Sequence, residues 1–171
     1  MRAAKWIVDN APGFRALTRI ERSAVRDFSL LWSVFEGRHV AEAEANFTRI
    51  CDAARDAMGG QAQGPGSFVA ELRYFQDRYG AAPMGMQRLD ALMNGRTPAM
   101  RTYIESVLAE QRTSTHEIAA GLLLIAFRLR NNLFHGTKWN NEMVDQLRNF
   151  RAAGTVLMKV MDRRPHLHQL P

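Results

Sequence analysis

The chain has 171 residues and a formal net charge of +6, because 23 lysines and arginines outnumber 17 aspartates and glutamates. This length predicts one domain over residues 1–171, with its own core and a frayed tail over 163–171. No apolar stretch approaches the roughly 20 residues of a membrane helix, and the first residues lack the long apolar core of a secretory signal. The composition therefore excludes a membrane-spanning protein, and we expect a cytoplasmic one. The excess of positive charge favours a nucleic-acid partner, since phosphate backbones attract cations.

The first predicted helix begins at a capping box. Thr18 and Glu21 are spaced so that each side chain can accept a hydrogen bond from the backbone N–H of the other residue. The apolar residues that follow recur at steps of three and four and form one stripe, which consists of Val25, Phe28, Leu31, Trp32 and Phe35. A helix ending near Phe35 is therefore predicted, and a second one over Val40–Met58. The glycine- and proline-rich segment 59–66 is predicted to be a surface loop.

Five more helices are predicted in the rest of the chain, over Ser67–Tyr79, Met86–Met93, Pro98–Glu110, Ser114–Gly136 and Asn140–Met161. The run 121–127 contains more consecutive apolar residues than one face of a helix can bury within its own bundle. We therefore expect part of it to face a partner. The methionines of the middle region are predicted to fill gaps in the core: Met84, Met86, Met93 and Met100. Strand patterns are absent. The predicted fold is all-α, an antiparallel bundle of about five principal helices with short extra helices.

One short motif contains residue types that are common in active sites. The sequence RNNLFHG occupies residues 130–136, at the end of the longest predicted helix, and contains Arg130, Asn131 and His135. It resembles the signature of the HEPN superfamily, in which an arginine and a polar residue precede a histidine by a few positions. The stretch DFSLLWSVFEGR, residues 27–38, is similar to the first core helix of some bacterial members. The resemblance implies a helical RNA-cleaving protein with these three residues at its active site.

The same residues also have a purely structural interpretation. Cations in the last turn of a helix interact favourably with the helix dipole, and asparagine and glycine commonly end helices. The spacing of Arg130 and His135 is weak evidence by itself, because Arg163 and His168 repeat it in the tail. That second copy lacks the asparagine after the arginine. The asparagine and the long amphipathic helix before it therefore favour the first copy.

The chemistry of the motif suits RNA. Attack of a 2′-OH on the adjacent phosphorus needs a base, an acid and positive charge, and no metal. His135 titrates in the right range for proton transfer, and Arg130 can fork across two phosphate oxygens. Asn131 is four residues before His135 and so can orient the imidazole. On an ideal helix, however, Arg128 shares a face with Asn131 and His135, so either arginine can supply the charge.

Four further residues are weaker candidates for RNA binding or for supporting the site: Arg128, Asn132, Lys138 and Glu36. Lys138, like Arg148, either holds the RNA backbone or only adds solubility. Glu36, at the end of the first helix, either orients an arginine or is an ordinary surface acid. His166 and His168 lack a third ligand, so no metal or other cofactor is predicted.

The resemblance also implies partners. HEPN proteins bring two motifs to one groove by forming a homodimer, which supplies two histidines to one RNA. By analogy with bacterial members, the expected role is that of a toxin or antiviral defence effector, with a possible antitoxin or regulatory protein. The alternative is a catalytically inactive HEPN dimer that binds RNA or a protein.

Overall fold

The structure is a computed structural model that describes residues 3–40, 44–59, 62–95, 97–134 and 145–163. Its α-helices are α1 (Ala3–Asn10), α2 (Pro12–Arg15), α3 (Arg19–Phe35), α4 (Phe47–Met58), α5 (Val69–Tyr79), α6 (Pro83–Met93), α7 (Pro98–Leu108), α8 (Thr115–Phe134) and α9 (Leu147–Met161). A π-helix, Glu36–Val40, continues α3, and a 3₁₀ turn, Gly66–Phe68, leads into α5. Within these residues the β structure is limited to one isolated bridge, between Gln63 and Ser114. The predicted all-α bundle is confirmed.

The capping box predicted at the start of α3 is present. The Thr18 hydroxyl accepts a hydrogen bond from the backbone N–H of Glu21 at 3.3 Å, and the Glu21 carboxylate accepts one from the N–H of Thr18 at 2.8 Å. The apolar stripe of α3 is buried as predicted, with the exception of the partly buried Leu31. Trp32 and Phe35, both buried, lie at the end of this stripe, directly before the π-helix.

Three predicted helix starts differ from the structure. The helix predicted from Met86 begins at Pro83, a residue type that suits the first turn of a helix. The second helix begins at Phe47 and not at Val40, because Val40 ends the π-helix and the Asn46 side chain caps α4 by accepting a hydrogen bond from the N–H of Arg49. Among the described residues the last helix begins at Leu147, and the predicted start at Asn140 lies outside them. Asp145 has a φ of 62°, a left-handed conformation that an α-helix cannot contain. The helices α1 and α2 were not predicted at all.

The core is one cluster of buried apolar side chains, and α8 lies at its centre. All residues from Gly121 to Ala126 are buried, since α8 contacts α4, α5, α6, α7 and α9. The expectation that part of this apolar run faces a partner is therefore wrong for residues 121–126, because neighbouring helices of the same chain surround them; Phe127 is partly buried and packs against the core. Gly121 permits one of these contacts: a Cβ at this position would lie 2.8 Å from a methyl carbon of Val107.

The methionine prediction is half right. Met93 and Met100 are buried, with 2% or less of their surface exposed, whereas Met84 is 59% exposed and Met86 is 49% exposed. Both exposed residues lie in the first turn of α6, which begins at Pro83. Cys51 is partly buried and packs against the core.

The described helices include none with the length and apolar character that a bilayer-crossing segment requires. The C-terminal tail from residue 164 and the segment 135–144, which contains the end of the motif, lie outside the described residues.

Candidate functional site

The last turns of α8 direct their polar side chains to two different neighbours. Arg128 and Asn132, four residues apart, point to the end of α6. Arg130 lies on another side of α8 and points to Glu36, at the start of the π-helix. The two candidate arginines therefore have separate environments.

Arg128 is a buried structural residue, with 6% of its surface exposed. Its guanidinium donates hydrogen bonds to the carbonyl oxygens of Leu92, at 3.3 Å, and Met93, at 2.9 Å. These carbonyls belong to the last turn of α6, where they have no intrahelical donor and where the helix dipole favours a cation. The Asn132 amide, 8% exposed, donates a third hydrogen bond to Leu92 at 2.9 Å. Arg128 and Asn132 thus join α8 to α6 inside the protein, and we withdraw both as RNA contacts.

Glu36 is held in place by a buried tryptophan. Trp32, four residues earlier, is 2% exposed, and its indole N–H donates to a Glu36 carboxylate oxygen at 3.2 Å. A buried indole needs an acceptor, so this hydrogen bond stabilises the carboxylate at the junction of α3 and the π-helix. His39, one turn further on in the π-helix, stacks on Phe35 with 5.3 Å between ring centroids.

Arg130 is held from two directions and remains accessible. One terminal nitrogen lies 3.7 Å from the Glu36 carboxylate, and the other donates to the Asn131 side-chain oxygen at 3.1 Å. The Arg130 side chain is 33% exposed and that of Glu36 is 29% exposed. A guanidinium oriented in this way at the protein surface can bind an anion without first losing its rotamer freedom.

The structure thus brings together three of the sequence-predicted residues, Arg130, Asn131 and Glu36. His135 and Lys138 lie outside the described residues, so the predicted contact between Asn131 and the imidazole does too. The role of Trp32 was missed by the sequence analysis. The spacing of four residues between Trp32 and Glu36 could have revealed it, since residues four apart lie on one face of a helix.

The described residues contain no group of three histidine, cysteine, aspartate or glutamate side chains arranged to hold a metal ion. Compared with family models, with characterised proteins and with solved structures, the chain matches none of them. The function must therefore be inferred from the residues of the site themselves.

Proposed function

We propose that this protein is a metal-independent endoribonuclease, in which Arg130, Asn131 and His135 form the active site. The observation that carries the proposal is the arrangement of Arg130: it is accessible, and Glu36 and Asn131 hold it at the end of the helix that leads to His135. A surface arginine fixed by two partners is preorganised for an anionic ligand. We propose RNA as this ligand because the motif resembles that of HEPN ribonucleases.

The proposed reaction needs no group beyond RNA and protein. The 2′-oxygen attacks the adjacent phosphorus and loses its proton to a base, while the bond to the 5′-oxygen breaks and that oxygen takes a proton from an acid. The products are a 2′,3′-cyclic phosphate and a free 5′-OH. Arg130 stabilises the negative charge that builds up on the nonbridging oxygens, and His135 transfers a proton.

Glu36 and Asn131 are positioning residues in this scheme. Because they restrict the Arg130 side chain before RNA arrives, less conformational entropy is lost in the transition state. Arg128 has a different, structural role, since its guanidinium is bound to the α6 carbonyls and is withdrawn from solvent. This difference between the two arginines supports Arg130 as the catalytic one.

We propose a homodimer on chemical grounds. Proton removal and proton donation occur on opposite sides of phosphorus, and the motif offers one histidine per chain. A two-fold axis brings two copies of the same motif together, so that each copy supplies one of the two proton transfers. The biological role that fits such an enzyme is that of a toxin or antiviral defence effector, controlled by an antitoxin or another regulatory protein.

The test is cleavage of RNA in EDTA. Purified wild-type protein and the His135→Ala variant are incubated with a labelled single-stranded RNA, and the ends of the products are identified. We expect 2′,3′-cyclic phosphate ends from the wild type and a rate lower by about 10² to 10⁴ from the folded variant. Unchanged cleavage by a folded His135→Ala protein would overturn the assignment. RNA that is bound but left intact by the wild type would identify the protein as a binding module.

A further inference from the structure

Three arginines from different helices converge near the candidate site. Arg78 on α5, Arg88 on α6 and Arg148 on α9 line one small cavity of about 150 Å³, together with Tyr74 and Asp77. A cavity of about 80 Å³ shares Arg78 and Arg88 and is also lined by Leu129 and Gln146. We call Arg78, Arg88 and Arg148 the three-arginine cluster. The proposed reaction assigns no role to it, and of its three members the sequence singled out only Arg148, as either an RNA-backbone contact or a solubilising residue.

Arg78 is the fixed member of the cluster. Its side chain is 13% exposed, and its terminal nitrogens donate to the side-chain and backbone oxygens of Asp145, each at 3.1 Å. Its Nε is buried and has no hydrogen-bond partner in the part of the chain that the structure describes. The Arg78 guanidinium thus pairs with Asp145, lies over the Tyr79 ring, and keeps one donor, Nε, without a hydrogen-bond acceptor among the described residues.

Arg88 and Arg148 are the exposed members. The Arg148 guanidinium lies over the Tyr74 ring, 4.9 Å from its centroid, and the Tyr74 hydroxyl donates to Asn149 at 2.7 Å. Among the described residues, no carboxylate lies within ion-pair distance of Arg88 or Arg148, including the nearby Asp77. Two positive charges without a carboxylate partner thus face the same cavity as Arg78.

The cluster lies at the end of α8 that carries the candidate site. Leu129, which lines the smaller cavity, directly precedes Arg130. Leu92 lines the same cavity, and its carbonyl oxygen accepts the hydrogen bonds of Arg128 and Asn132. The smaller cavity therefore lies against the same turns of α8 that carry Arg128 and Arg130.

We infer that the three-arginine cluster binds a backbone phosphate of single-stranded RNA. Cavities of about 150 and 80 Å³ are too small for a whole nucleotide, because sites for small organic ligands occupy roughly 300 Å³ or more. A single phosphate group suits such a space, and planar guanidinium groups bind phosphate oxygens in pairs. The inference rests on the proposed function only for the identity of the RNA. The cluster would hold the strand in place while Arg130 and His135 act on it.

The experiment measures binding apart from cleavage. A fluorescent single-stranded RNA with 2′-O-methyl groups at every position cannot react by 2′-OH attack, so its anisotropy reports binding alone. The full chain is compared with the variant Arg88→Ala/Arg148→Ala over a range of KCl concentrations in EDTA. The matched control is Arg19→Ala/Arg49→Ala, which removes the same charge from exposed positions on α3 and α4 outside the cluster. Inorganic phosphate, at equal ionic strength, serves as a second ligand.

We expect the cluster variant to bind this RNA at least roughly tenfold more weakly, the scale of one charge-assisted hydrogen bond. The slope of log affinity against log salt should fall by about 0.7 for each phosphate that the variant no longer binds, and the control should keep the wild-type values. An equal weakening in the cluster variant and the control would overturn the inference, as would wild-type protein that binds phosphate but not RNA. Wild-type protein that binds the RNA through the cluster yet leaves natural RNA uncut would refute the proposed function and uphold this inference.

Discussion

Arg128→Ala and Arg130→Ala are expected to affect different properties: the first mainly the stability of the fold, the second mainly RNA cleavage. The two residues are neighbours on α8 but differ in burial, since Arg128 is 6% exposed and the Arg130 side chain is 33% exposed. Arg128 joins α8 to α6, whereas Arg130 contacts Glu36 and Asn131 at the surface. The first substitution should therefore destabilise the fold, and the second should strongly lower the rate of RNA cleavage.

The cost of losing Arg128 follows from its hydrogen bonds. A hydrogen bond from a charged donor contributes about 1.5 to 3 kcal/mol, and the dipole at a helix end up to about 2 kcal/mol more. Arg128 donates to two carbonyl oxygens, at Leu92 and Met93, and the cost of burying its charge offsets part of the gain. We expect a net loss of about 3 kcal/mol, which lowers the Tm of a protein of this size by about 6 to 12 °C.

Compared with Arg128→Ala, Arg130→Ala should lower the free energy of unfolding less and lower kcat more. An ion pair at 3.7 Å between side chains that are about one third exposed contributes at most about 1 kcal/mol. The Tm should therefore fall by no more than about 4 °C. Removal of one group that stabilises transition-state charge commonly lowers kcat by about 10² to 10³.

Both variants are measured by thermal unfolding, followed by circular dichroism, and by the initial rate of RNA cleavage in EDTA at a temperature where each is folded. Arg130→Lys is the matched control, since it keeps the charge but loses the planar fork, and it should recover only part of the rate. A folded but inactive Arg128→Ala protein beside an active Arg130→Ala protein would refute the reasoning and make Arg128 the catalytic arginine.

Three other predictions concern the site, the dimer and the pH dependence of stability. Glu36→Gln should lower kcat by about tenfold without unfolding the protein, because Arg130 loses its ion pair but not its charge; an unchanged kcat would remove Glu36 from the site. Mixing His135→Ala with wild-type chains should reduce activity more steeply than the wild-type fraction falls, whereas a proportional decrease would indicate independent sites. The hydrogen bond from the Ser114 hydroxyl lowers the pKa of Glu117, so its stabilisation is present above the usual carboxyl range and is lost as the pH falls through the lowered pKa. The Tm of wild type should therefore fall more than that of Glu117→Gln on acidification from about pH 6 to about pH 3; equal decreases would contradict the role of this hydrogen bond.

The sequence alone determined the features that depend on neighbours a few residues apart. The capping box of Thr18 and Glu21 and the buried stripe of α3 were predicted and confirmed, because hydrogen bonds and side-chain periodicity within a turn are readable from spacing. The start of α9 was not predicted correctly, because it depends on the left-handed conformation of Asp145. Asp145 is held by the Arg78 side chain, which comes from another helix. Helix periodicity likewise predicted an amphipathic α8 but could not tell that five other helices would contact it and bury residues 121–126.

The residues of the candidate site were likewise predicted in part from the sequence, while their contacts were decided by the packing of the helices. The motif singled out Arg130, Asn131 and His135, and helix geometry left Arg128 as an alternative to Arg130 for the catalytic charge. Only the packing of α8 against α6 buries Arg128, because the carbonyl oxygens that bind it belong to residues far away in the sequence. The contact between Glu36 and Arg130 also joins distant parts of the chain, and it depends on the π-helix that follows α3. Spacing fixes which side chains share a helix face, whereas the identity of the neighbour on that face is decided when the helices pack.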